Sequence, residues 1–294
     1  MRPLLLLIAF FIGFHSVAVA DTFEETRTKA EQGDAVAQNN LGAMYARGLG
    51  VPQDYGAALT WYRKAADQGF AGAQYNLGGM YHDGRGVPQN DSEAAKWYQK
   101  AALQGHALAQ NNLGNMHHGG LGVPQDYGAA LTWYRKAADQ GVAEAQYNLG
   151  LMYHWAHGVP GDLAAAFQWY RKAADQGYAM AQYSLGSMYC CGAGGIPEDH
   201  AEMVKWHRKA ADQGHTGAQL NLGLMYMKGK DVPQDYVQAY MWLTLVSVSR
   251  ERTEAAFAMK ILKTRDEIAA KMTPAQIAEA EKLTREWKPI APKP

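Results

Sequence analysis

Apolar residues recur through most of the chain at spacings of three and four, and short glycine- and proline-rich stretches interrupt them. In the stretch from Ala73 to Ala102, Ala73, Leu77, Met80 and Tyr81 share one helical face. Gly84, Gly86 and Pro88 then stop the helix and turn the chain. A second amphipathic run follows, of the kind Ala58, Trp61, Tyr62, Ala65, and it ends at a glycine such as Gly69. In five copies an aspartate (Asp54, Asp126, Asp162, Asp199, Asp235) stands two positions after the turn proline, placed to cap the second helix. The pattern predicts helix, tight turn, helix, repeated six times.

One glycine breaks the local rules. Gly78 falls inside the first helix, where glycine costs about 1 kcal/mol relative to alanine. It recurs as Gly42, Gly114, Gly150, Gly186 and Gly223, at steps of 36, 36, 36, 36 and 37 residues when put in order with Gly78. A penalty kept in every copy implies a neighbouring helix too close for a Cβ. A fixed period of this size predicts a solenoid, because one helix pair cannot bury both of its apolar faces.

The text A-x-x-x-L-G-x-x-Y, then G-x-G-V-P-x-D, then W-Y-x-K-A-A resembles the Sel1-like repeat, a relative of the tetratricopeptide repeat, of the exported bacterial type. The resemblance covers about Ala35 to Ser249. It implies an all-α, right-handed α/α superhelical solenoid that works as a protein-interaction scaffold, with no catalytic residues of its own. The expected organisation is a signal peptide over 1–20, a capping helix over 21–34, repeats at 35–70, 71–106, 107–142, 143–178, 179–215 and 216–251, and C-terminal capping helices and tail over 252–294. In that last part Ala256, Met259, Leu262 and Ile268 are the expected inward positions, and Thr273-Pro274-Ala275-Gln276 reads as a helix start with a capping box.

Arg2, the apolar run from Leu4 to Phe14 and Ala18-Val19-Ala20 read as an export signal cleaved before Asp21. The apolar run is shorter than the roughly 20 residues a membrane span needs. The expected location is periplasmic or secreted, with no membrane span in the mature chain. Lys+Arg 28 against Asp+Glu 28 gives no basic stripe, which argues against nucleic acid.

No serine begins Ser-x-x-Lys or sits in Gly-x-Ser-x-Gly, and Asp231 after Gly229-Lys230 breaks a phosphate loop. The expectation is no enzyme, no cofactor and no metal site. His82, His118 and His154 recur with the period but lack the neighbouring ligands of a metal centre. Cys190 and Cys191 are adjacent, and thiols, a partner disulfide and a vicinal disulfide all stay open. Cysteine-rich members of the family have been linked to β-lactam binding or hydrolysis. A cell-wall factor touching peptidoglycan is therefore the alternative to a scaffold, although this chain lacks their cysteine framework. The recurrent glutamine and asparagine of A-Q-x-N-L-G suit either the stack or a ligand.

Positions identical in every copy build the stack, and first-helix positions that vary are free to read a partner. On the concave face implied by the resemblance, the candidates are Tyr75, His82, Asn111, Asn115, His118, Tyr147, Leu151, His154, Tyr183, Leu220 and Leu224, with tyrosines as anchors. The expected partners are proteins of the cell envelope.

Overall fold

The computed structural model describes residues 23–190, 192–248 and 255–291. The expected signal segment and Cys191 lie outside the described residues. Helix is the regular structure among the described residues. A helix over 23–31 (α1) is followed by α2 (Ala35–Arg47), α3 (Tyr55–Asp67), α4 (Ala71–Asp83), α5 (Asp91–Leu103), α6 (Ala107–Gly119) and α7 (Tyr127–Asp139). These belong to a first compact unit, Met1–Gln140. The second unit, Gly141–Pro294, holds α8 (Ala143–His154), α9 (Leu163–Asp175), α10 (Ala179–Tyr189), α11 (His200–Asp212), α12 (Thr216–Lys228), α13 (Tyr236–Val248), α14 (Ala255–Ala269) and α15 (Pro274–Glu286).

The turns behave as the sequence asks. Asp54, Asp126, Asp162 and Asp199, and Asn90 in the second copy, sit in extended backbone and accept from the N–H three residues on. Each of these caps also donates its own N–H back across the turn, as Asn90 does to the Tyr81 carbonyl at 2.8 Å. Gly84, φ +67°, closes α4 in the left-handed conformation. The second turn glycine answers a different demand. A Cβ on Gly122 would lie 2.2 Å from the carbonyl carbon of Asp91, at the start of α5 in the preceding copy. The fifth copy absorbs its extra residue by ending α10 at Tyr189 and adding a short 3-10 turn, Ala193–Gly195.

Within each unit the two helices of a copy pack on each other, and the second helix of one copy packs on the first helix of the next. Leu41, Leu77, Leu113, Leu149, Leu185 and Leu222 are buried in these layers, with alanines from the second helices around them. The recurrent lysine three residues after the tryptophan lies over its ring, as Lys64 over Trp61 at 4.1 Å and Lys172 over Trp169 at 4.0 Å.

The C-terminal helices close the second unit. Thr273 and Gln276 form the expected capping box. Trp287 meets Trp242 edge-on at 6.4 Å, and the Ile290 N–H donates to the Asp212 carbonyl. In α14 the expected inward position Ile268 is buried, but Met259 is not. Ile261 and Ile268, seven apart, face the core, whereas Met259 is 65% exposed. Two residues before Ile261 is about 200° around a helix, so Met259 falls on the outer side.

Candidate functional site

The residues that recur are consumed by the stack. A Cβ on Gly42, Gly78, Gly114 or Gly150 would lie 2.5–2.7 Å from the ring of Tyr62, Tyr98, Tyr134 or Tyr170 respectively. The glutamines form a second ladder. Gln74 Nε2 donates to the Ala66 carbonyl of the preceding copy, and Gln74 Oε1 accepts from Gln104 Nε2 at 2.8 Å. Gln110 with Ala102 and Gln140, and Gln182 with Ala174 and Gln213, repeat the arrangement. These first-helix glutamines are buried, so their amides hold copies together and are not offered to a ligand. The second-helix glutamine just before the terminal glycine is the partner that sequence reasoning missed. Its periodic recurrence beside that glycine was the available signal.

The predicted tyrosines are half-buried between copies. Tyr75 stacks on His106, the residue that caps α6, at 4.8 Å between ring centroids. Tyr183 stacks on His215 at 4.5 Å and on His207 at 5.4 Å. Tyr147 lies 5.5 Å from Tyr170 and 5.4 Å from Tyr178. Burial raises the Tyr147 phenol and pushes that of Tyr178 up to about 12, so both stay protonated at neutral pH.

The polar candidates diverge. His82 Nδ1 is 2.7 Å from Asp91 Oδ1. Asn115 accepts from the Tyr134 hydroxyl at 2.8 Å. The His118 ring lies 5.2 Å from that of Tyr127, and His154 lies against Trp155, which is 62% exposed. Leu151 and Leu220 are partly buried against their core clusters. Asn111 is a correction: at 1% exposure it cannot meet a partner. Its amide ends within the packing, at the place where Tyr75, Tyr147 and Tyr183 reach farther out in three other copies. Cys190 is exposed at the end of α10.

Two grooves, one in the first unit and one in the second, are lined by varying positions together with recurrent ones such as Tyr62, Met80 and Tyr98. A groove of about 350 Å³ in the first is lined by Ala46, Tyr75, Gly79 and His82, among others. One of about 390 Å³ in the second is lined by Ser187, Cys190, Leu224 and also His207, Lys228 and Lys230. The last three were not foreseen. Their signal was the departure of Trp206-His207 and Gly229-Lys230-Asp231 from the repeat text.

The Sel1 repeat model matches residues 35–70, 71–106, 107–142, 143–178, 179–215 and 216–245. The chain belongs to the Sel1 repeat family. A Sel1 repeat protein from Oxalobacter formigenes is similar in structure, with a TM-score of 0.74 and 34% identity over 84% of this chain and 98% of its own. The protective antigen c5321 of uropathogenic Escherichia coli, which displays an SLR fold, gives a TM-score of 0.56 at 29% identity over 92% of this chain and 72% of its own. No curated protein matches the chain. Sel1 repeats generally mediate protein–protein interaction, and the family is typically non-enzymatic. No helix among the described residues is long and apolar enough to cross a membrane.

Proposed function

We propose that this Sel1 repeat protein is an exported scaffold that holds a protein partner of the cell envelope against the face of its first helices. The supporting observation is a division of labour along those helices. The recurrent helical glycine, the side chain packed on it and the glutamine ladder hold the copies together, while residues that differ between copies (Ala46, Tyr75, Gly79 and His82 in one groove, Ser187, Cys190 and Leu224 in the other) line the grooves beside recurrent ones such as Tyr62 and Tyr98. A surface of half-buried rings beside adaptable polar groups suits polypeptide recognition. Export rests on residues 1–20, and an intact mass beginning at Asp21 in the periplasmic fraction is the expected result.

Site-specific photo-crosslinking tests the scaffold reading. A benzophenone side chain at Ala46 or His82 should join one and the same envelope protein, identified by mass spectrometry. The same group at Gln99, exposed on the second helix α5, should not. Equal labelling from Gln99, or hydrolysis of nitrocefin by the purified chain, would contradict the proposal.

A further inference from the structure

The groove of the second unit differs in kind from that of the first. In four copies the residue after the second-helix tryptophan is a tyrosine (Tyr62, Tyr98, Tyr134, Tyr170), whose ring covers the helical glycine. In the fifth copy it is His207, whose ring covers Gly186 in the same way. Imidazole is shorter than phenol. Where the Tyr134 hydroxyl reaches Asn115, His207 reaches only the equivalent Ser187, with Nε2 3.4 Å from Oγ. The space a phenol would take contributes to a cavity of about 390 Å³, within the range of small-ligand sites.

The hydrogen bonds fix what His207 offers. The Ser187 hydroxyl donates to the Tyr183 carbonyl at 3.0 Å, so toward His207 it accepts, and Nε2 carries the proton. Nδ1 is then a bare acceptor. It is buried with no hydrogen-bond partner among the described residues, on a side chain 2% exposed. A buried acceptor left unpaired is costly, and a ligand that brought it a donor would recover that cost.

The surroundings supply the rest of the specification. Met203 and Met225, with Leu224, give adaptable apolar walls. Lys228 and Lys230 are exposed at the open side. The carboxylate that lines the cavity with them, Asp231, already faces His200 Nδ1 at 2.7 Å. No carboxylate among the described residues ion-pairs with either lysine. Two ammonium groups beside an apolar pocket are complementary to an anion attached to an apolar group.

We infer that this cavity docks a peptide segment in which an apolar side chain is followed by a carboxylate, the side chain entering the methionine-lined pocket, a backbone N–H meeting His207 and the carboxylate meeting Lys228 and Lys230. The inference rests on the scaffold reading and names the chemistry of one of its contacts. The carboxylate belongs either to a chain terminus or to an acidic side chain.

Fluorescence anisotropy with the full chain tests it. The probes are fluorescein-labelled Gly-Ser-Gly-Ser-Gly-Leu with a free C-terminus, the same peptide as its amide, and the peptide amide extended by one glutamate. One of the two acidic probes should bind saturably, and the neutral amide about tenfold more weakly. The identity of the better acidic probe assigns the source of the carboxylate. His207→Tyr, which restores the residue of the other copies and refills the cavity, should weaken binding by about tenfold or more. The exposed pair Lys228→Gln, Lys230→Gln should do so without disturbing the fold. No saturation by either acidic probe up to about 1 mM, or unchanged binding in both variants, overturns the inference. If benzophenone at His82 still captures its partner in that case, the scaffold reading stands and only this pocket is lost.

Discussion

The Cβ that Gly114 lacks would lie 2.6 Å from Cδ1 of Tyr134 and 2.7 Å from its Cε1. Equivalent contacts, with tyrosine in four copies, His207 in the fifth and Leu243 in the sixth, explain why every copy accepts a helix-weakening residue at its centre. In α6 the Tyr134 ring of the second helix lies against the backbone of the first, and no other residue leaves room for it.

Gly114→Ala should therefore destabilise the protein by about 1–3 kcal/mol through overpacking, although alanine favours a helix. In a Tyr134→Ala background the sign should reverse, because the obstruction is gone and only helix propensity remains, about 1 kcal/mol. Chemical denaturation of the two single variants and the double variant measures both. Destabilisation of similar size in both backgrounds would show that the contact is not the reason for the glycine.

The glutamine ladder makes a prediction that burial alone would get wrong. Gln110→Met is similar in volume and more apolar, yet it removes both the amide donor to the Ala102 carbonyl, which keeps only the Gly105 N–H, and the acceptor for Gln140 Nε2. The expected result is a loss of about 1–3 kcal/mol. A raised melting temperature would mean that the amide acts as filler and not as a clamp.

His207 gives unit 2 a pH dependence. Burial, with repulsion from His215, lowers its pKa to about 4, against an ordinary value of about 6.5. Between those values the unfolded chain binds a proton that the folded chain refuses. The contribution is thus complete above about pH 6.5 and is lost as pH falls toward 4, on the order of 3 kcal/mol. His200 acts in the opposite sense, since its hydrogen bond to Glu198 and the nearby Asp231 raise its pKa. Comparing the chain with His207→Tyr cancels that term. The variant should lose much of the acid-side slope in stability between pH 6.5 and 4, and an unchanged slope would contradict the assignment.

Much of the fold was legible because six copies corroborate one another. A period of 36, a glycine that no helix wants, and an aspartate or asparagine after each turn proline leave little freedom in placing α2 to α13. Where no copy supplied a phase, as in α14, Met259 was put inside in place of Ile261. The candidate face was legible only in outline. Varying positions do line grooves, but spacing could not tell that Asn111 is buried or that the tyrosines are shared between stacked rings. His207 was hidden because one changed letter in a repeat reads as drift. Its meaning appears only when Ser187 and Gly186 are seen against its ring.

The central claim is that the kept residues hold the stack while the varying first-helix residues hold the partner. A variant with His82→Ser, His118→Ser and Leu151→Ser, assayed both for melting temperature and for capture of the crosslinked envelope protein, tests it most directly. Partly exposed substitutions of this kind should cost little individually, so the melting temperature should fall by less than about 6 °C. Capture should drop by about tenfold or more. Full capture by the variant, or collapse of the fold with all three positions proving part of the stack, would contradict the account.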